Sequence, residues 1–294
     1  MRLAYKLAIV AAMAAAAATV LLRAESTNAI PISEVSHIHG IAIDPNDPSR
    51  LFLATHYGVY LTSPDGTAVR ISDNRNDYMG FTPHPSEPDF LFASGHPASG
   101  GNMGVIVSRD GGRTWQQLSA GARGPVDFHA MDVSASDPDV IYGLYGGIQV
   151  SRDGGGTWEI AGSPPADAFD LAASAVDPDT AYAATRDGVM VSRDAGRSWR
   201  PTGPEGQPAS MVHVGPTGAV YAFVVGSGLM RAPGAALNWS VVNAGFGERV
   251  LLHMAIDRND PARMFAVADD GQVHASSDAG QSWGQLSGAP DAAD

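Results

Sequence analysis

Cysteine is absent from this 294-residue chain, which excludes disulfides, thiolate metal sites, cysteine nucleophiles and a lipid-bearing cysteine after a leader. Lysine occurs once, at Lys6, so lysine Schiff-base chemistry is excluded once the first residues are removed. Charge is sparse, at 17% of residues, and mostly of one sign: 18 Lys+Arg stand against 31 Asp+Glu. The resulting −13 argues against a phosphate grip on nucleic acid. In compensation there are 34 Gly, 20 Pro and 44% hydrophobic residues, the mark of a folded chain with many tight turns rather than long helices. Any metal must be held by His, Asp, Glu or Met.

The first 29 residues do not read as part of the fold. Arg2 and Lys6 precede an uncharged apolar run from Leu7 to Leu22, and a polar stretch then ends in Thr27-Asn28-Ala29. That order of basic start, apolar middle and small-residue end is a secretory leader. Cleavage after Ala29 leaves residues 30–294 as one exported, acidic, lysine-free domain with no later membrane span.

Four segments repeat: Ser108 to Trp115, Ser151 to Trp158, Ser192 to Trp199 and Ser276 to Trp283. The first three tryptophans are 43 and 41 positions apart, and the last lies two such periods further on. A worn copy ends at Trp239, and another, Ser63-Pro64-Asp65-Gly66, lies one period before the first clear one. Each unit holds four short β-rich runs. In the first these are Gly40 to Ile43, Leu51 to Thr55, Gly58 to Thr62 and Ala68 to Ile71, with a Pro/Asp/Asn turn after the first and the box after the third. Six units of four strands predict an all-β, six-bladed β-propeller of antiparallel blades. Within a box, Asp can accept hydrogen bonds from its own turn, Gly supplies positive φ, and Trp offers a flat packing surface. The boxes therefore read as turn staples.

These boxes match S-x-D-x-G-x-T-W and so resemble the Asp-box, or bacterial neuraminidase repeat, of sialidases, sortilin-type receptors, xyloglucan hydrolases and photosystem II assembly factor-like propellers. The chain looks most like exported bacterial Asp-box proteins of the sialidase or glycosyl hydrolase-like kind. The resemblance implies boxes on the face opposite the active site, and it implies no single activity.

In an antiparallel meander the first-to-second and third-to-fourth connections share one face. The opposite face is then built from second-to-third loops and blade-to-blade links, where ligands are usually met. Aligning the units puts His37, His39, His56, His96 and His129 toward that face, with His39 matching His129 and His56 matching His96. Residues i and i+2 of a strand point the same way, so His37 and His39 could close on one ion. These five histidines are expected to form a single metal site; Met79 and Met103 beside them would favour copper, histidine alone zinc.

A sialidase-like site would need arginines for a carboxylate, and Arg75, Arg123, Arg186 and Arg249 fall in loops of this face. A two-carboxylate glycosidase would need only a suitably spaced acidic pair, for which Asp77, Asp127 and Asp170 are candidates. The catalytic set expected on either scheme is Asp127, Asp170 and Arg186, all taken as loop-tip groups. The leading reading is a periplasmic or secreted, monomeric binding or scaffold propeller. Its ligand is a small molecule, glycan or envelope protein, and a His-held zinc or copper is its sharpest form. Glycoside hydrolysis is the alternative.

Overall fold

The computed structural model describes residues 28–286 apart from 166 and 205; the segment expected to be a leader, except for its last two positions, lies outside the described residues. Six antiparallel sheets follow one another along the chain, each a meander whose strands run outward in sequence order. The innermost strands are Ile38–Ile43, Asp77–Pro83, Ala130–Val133, Ala168–Ala173, Ala209–Val214 and Leu251–Ile256. They define a six-bladed all-β propeller, as the repeat predicts. The helical structure among the described residues is two 3-10 turns, Ile32–Glu34 and Gly234–Ala236. No helix among them is long and apolar enough to cross a membrane.

Both faces of a blade are covered by its neighbours, so its middle strands carry apolar residues on both sides rather than alternating. Leu51–Thr55, Ala181–Thr185, Val220–Val224 and Met264–Ala268 are buried at every position. Outermost strands such as Gln116–Ser119 and Ser240–Asn243 are largely open to solvent. The core lies between blades: Ala42, Phe52 and Leu61 of the first pack on Tyr78, Phe81 and Leu91 of the second.

The boxes are hydrogen-bonded turns, as expected. In the third blade Ser151 Oγ donates to Asp153 Oδ1 (2.8 Å) and accepts from the Gly155 amide (2.8 Å). Thr157 donates to Asp153 through its amide (2.8 Å) and hydroxyl (2.7 Å), and Trp158 Nε1 donates to the Gly155 carbonyl (2.9 Å). The same bonds recur around Asp110, Asp194 and Asp278. In the fifth blade a 3-10 turn replaces the box, and the buried Trp239 Nε1 has no partner.

Among the described residues, ring closure uses no shared strand. Ile30–Pro31 instead pairs with the outer edge of the first blade as a fifth strand. Ile32 and Val35 are buried with Leu51 and Leu53 of that blade and Phe265, Val267 and Val273 of the sixth. The seam is therefore sealed by apolar packing, with Ile30–Val35 as part of the domain.

Candidate metal centre

On the face opposite the boxes, the first three blades bring their chemistry together. His37 and His39 stand at the entry of the first innermost strand, and His56 follows the second strand of the same blade. Asp77 opens the innermost strand of blade two, and His96 closes its second strand. Asp127 and His129 immediately precede the third innermost strand.

The five histidines do not make one site. Four of them fall into two clusters, each completed by a carboxylate: His39, His56 and Asp77, and His96, Asp127 and His129, with the donor atoms of each cluster within 4.8 Å of one another. His56 Nδ1 lies 2.5 Å from Asp77 Oδ2. His96 Nε2 and His129 Nε2 lie 2.8 and 2.9 Å from Asp127 Oδ2. Counted from the first turn, His56/Asp77 and His96/Asp127 are the same pair displaced by one blade. The alignment that matched the histidines also places Asp77 and Asp127 at the position of His37, a signal the sequence reading left among general carboxylates.

His37 is set apart from both trios. Its ring is 5.1 Å from that of His56, and its backbone is left-handed, with φ 53°. Regular i, i+2 geometry does not apply, because the pairing register also shifts between Ile38 and Gly40 and bulges His39 out of the ladder. A non-glycine residue in this region stores on the order of 1 kcal/mol or more. Two glycines make the close approaches. A Cβ at Gly95 would sit 2.2 Å from the Asp77 carbonyl, beside His96, and one at Gly80 would sit 2.5 Å from the carbonyl of Phe128, between Asp127 and His129.

Burial and ion pairing pull the titrating groups of the two clusters in opposite directions. Burial, helped by the nearby His56, lowers His39 to about 4. The hydrogen bond to Asp127 raises His129. Burial alone would raise Asp127, but the hydrogen bond and charge of His129, with those of His96, hold it below the ordinary range. His39 also feels Asp77 and His129, and His129 feels Asp77, so the clusters are electrostatically adjacent. Three polar atoms remain buried without partners: His39 Nε2, Asp77 Oδ1 and Asp127 Oδ1.

The remaining expected residues are elsewhere. Asp170 is on an innermost strand rather than at a loop tip, and it accepts from the amides of Leu171 (2.9 Å) and Val212 (3.0 Å), tying blade four to blade five. Asp132 does the same between Thr82 and Ala173. Arg186 pairs with Asp167 at 3.1 Å on the open surface. Met103 packs into the core between blades one and two, its sulfur 3.5 Å from the Asn76 amide nitrogen, and Met79 is buried.

Further along the innermost strands, burial lowers His213 and His253 to about 4 and raises Asp132 and Asp170 to about 6 and 7. A histidine depressed in the folded state contributes stability present above its unfolded value of about 6.5 and lost as pH falls toward the folded one. A carboxyl raised in the folded state does the reverse, its contribution being lost as pH rises through the folded value. The two kinds oppose each other between about pH 7 and about pH 5. His213, shifted by burial alone, is the cleaner probe: His213→Gln should reduce the acid-induced loss of stability across that interval by about 2 kcal/mol or less. Urea unfolding at both pH values measures this, and an unchanged difference would contradict it.

A profile for the BNR/Asp-box repeat matches residues 106–117. No curated protein matches the chain by sequence. Among solved structures, the GH74 xyloglucanase from Xanthomonas campestris is 19% identical with a TM-score of 0.58, over 85% of this chain and 45% of that one. The GH74 enzyme from Niastella koreensis is 15% identical with a TM-score of 0.62, over 86% of this chain and 45% of that one. YCF48 from Cyanidioschyzon merolae is 18% identical with a TM-score of 0.52, over 85% of this chain and 84% of that one. The chain thus spans under half the length of the GH74 enzymes it resembles. These likenesses carry the fold, shared by hydrolases and other propellers alike.

Proposed function

We propose that this Asp-box propeller is a periplasmic or secreted metal-binding protein that holds zinc or copper(II) ions at its two His/Asp clusters and presents them on the face opposite the boxes. The observation that carries this reading is at His96. Its Nδ1 lies 2.9 Å from the Gly101 carbonyl, an acceptor only, so Nδ1 carries a proton. In the neutral ring Nε2 then turns a lone pair toward Asp127 Oδ2 at 2.8 Å. That contact is closed either by a proton on Nε2, as a hydrogen bond to the carboxylate, or by a metal cation held in the proton's place, and we take the second. A ring N–H given to a backbone carbonyl is also how metal-bound histidines are usually oriented. The unpartnered Asp77 Oδ1, Asp127 Oδ1 and His39 Nε2 supply further free donors, and unpaired buried polar atoms are costly without a ligand.

Elemental analysis of residues 30–294, dialysed against zinc or copper at neutral pH, tests the proposal. Two ions per chain are expected, and uptake of neither metal would refute it. Glycoside hydrolysis gains no separate support from the geometry, since Asp127 is engaged by two histidines and Asp170 by backbone amides.

A further inference from the structure

The two clusters differ in what surrounds them. His39 is partly buried and has His37 and His56 close by. His129 is exposed over 64% of its side chain, and with Asp127 it forms one wall of an open pocket of about 700 Å³ reaching toward blade four. The other walls include Leu144, Tyr145, Pro164 and Phe169. Tyr145 and Phe169 are 42% and 52% exposed. Every exposed large aromatic among the described residues lies on this face, because the third, Tyr57, is beside His37 and His56. A large aromatic left in water next to a group of metal donors is a surface awaiting a ligand.

Resting on the metal reading, we propose that the ion at His96, Asp127 and His129 keeps an open coordination position toward this pocket and takes there a carboxylate carried on an aromatic body. Two imidazoles and one carboxylate supply three ligands, the number that leaves a zinc site open to water or substrate. Asp127, 4% exposed and with Oδ1 unpartnered, anchors the ion at the pocket floor. Oxygen anions suit the vacant position of such an ion. The apolar walls select what the carboxylate is attached to: Phe169 and Tyr145 offer ring faces for stacking. Asp167, also on the wall, does not repel the anion as a free carboxylate would, because Arg186 pairs with it at 3.1 Å.

Cobalt(II) is the reporter, since its visible absorption changes when a coordinated water is replaced. The cobalt-loaded chain is titrated with phenylacetate and with acetate, and metal content is measured in the same samples. Phenylacetate should shift the bands saturably and bind about tenfold more tightly than acetate, a preference that Phe169→Ala should largely remove. Asp127→Asn should abolish the shift while the other cluster keeps its cobalt. If cobalt binds but neither anion alters the spectrum, or both bind equally, the open ligand site is refuted and the metal reading stands. If no cobalt, zinc or copper binds at all, both fall.

Discussion

A chain carrying Asp127→Asn is expected to retain one zinc or copper ion where the unaltered chain retains two. Asp127 Oδ2 is the point on which His96 and His129 converge, at 2.8 and 2.9 Å, and the carboxylate is buried. Asparagine keeps the shape but removes the charge and turns one oxygen into a donor, which a cation repels. Changes to supporting groups alone cost 10–100-fold in metal affinity, so loss of this ligand should cost about 100-fold or more at the second cluster. The first cluster has its own carboxylate and its own histidines and should be little affected. Asp77→Asn gives the mirror result. Isothermal titration of both variants with zinc decides the matter: if either substitution removes both ions, the clusters are one centre; if neither removes any, the carboxylates are not ligands.

The fold was legible because the repeat recurs at the scale of a whole blade. A box of Ser, Asp, Gly, Thr and Trp fixes the third turn, and strand order then fixes the face on which every loop emerges. His39, His56, His96 and His129 were all placed on the right side by that logic. Grouping was less legible, since it depends on which neighbouring blade a side chain leans toward. His56 reaches to Asp77 of the next blade, and His96 to Asp127 of the one after. The left-handed backbone of His37 and the bulge at His39 also break the alternation on which an i, i+2 argument rests. Asp170 shows the limit from the other side. Its position matches Gly40 rather than a loop, and only the folded structure brings it to the Val212 amide that it holds across the blade boundary.

Trp158→Ala should separate the two ways in which a box tryptophan serves the molecule. Its ring is partly buried, 4.9 Å from that of Phe128, and its Nε1 donates to the Gly155 carbonyl (2.9 Å) and Ser119 Oγ (3.1 Å), fastening blade three to the outer strand of blade two. Large-to-small changes of this kind cost about 3–5 kcal/mol when fully packed, and partial exposure of the indole puts the expected loss near 3 kcal/mol. A box on the far face would be expected to leave the proposed metal face alone, but Phe128 is fully buried between Asp127 and His129, so the indole braces the backbone that carries two of the proposed ligands. Zinc affinity at the second cluster should therefore fall about tenfold, in the range of supporting-group effects. Trp199→Ala is the comparison. That indole makes its box bond to Gly196 (3.2 Å) and packs with the cluster between blades three and four, which includes none of the metal donors. It should destabilise by a similar amount and leave both ions bound at full affinity. Denaturant unfolding gives the stabilities, and zinc titration well below the melting range gives the affinities. Equal zinc binding by the two variants would show that Phe128 holds Asp127 and His129 in place without the indole behind it.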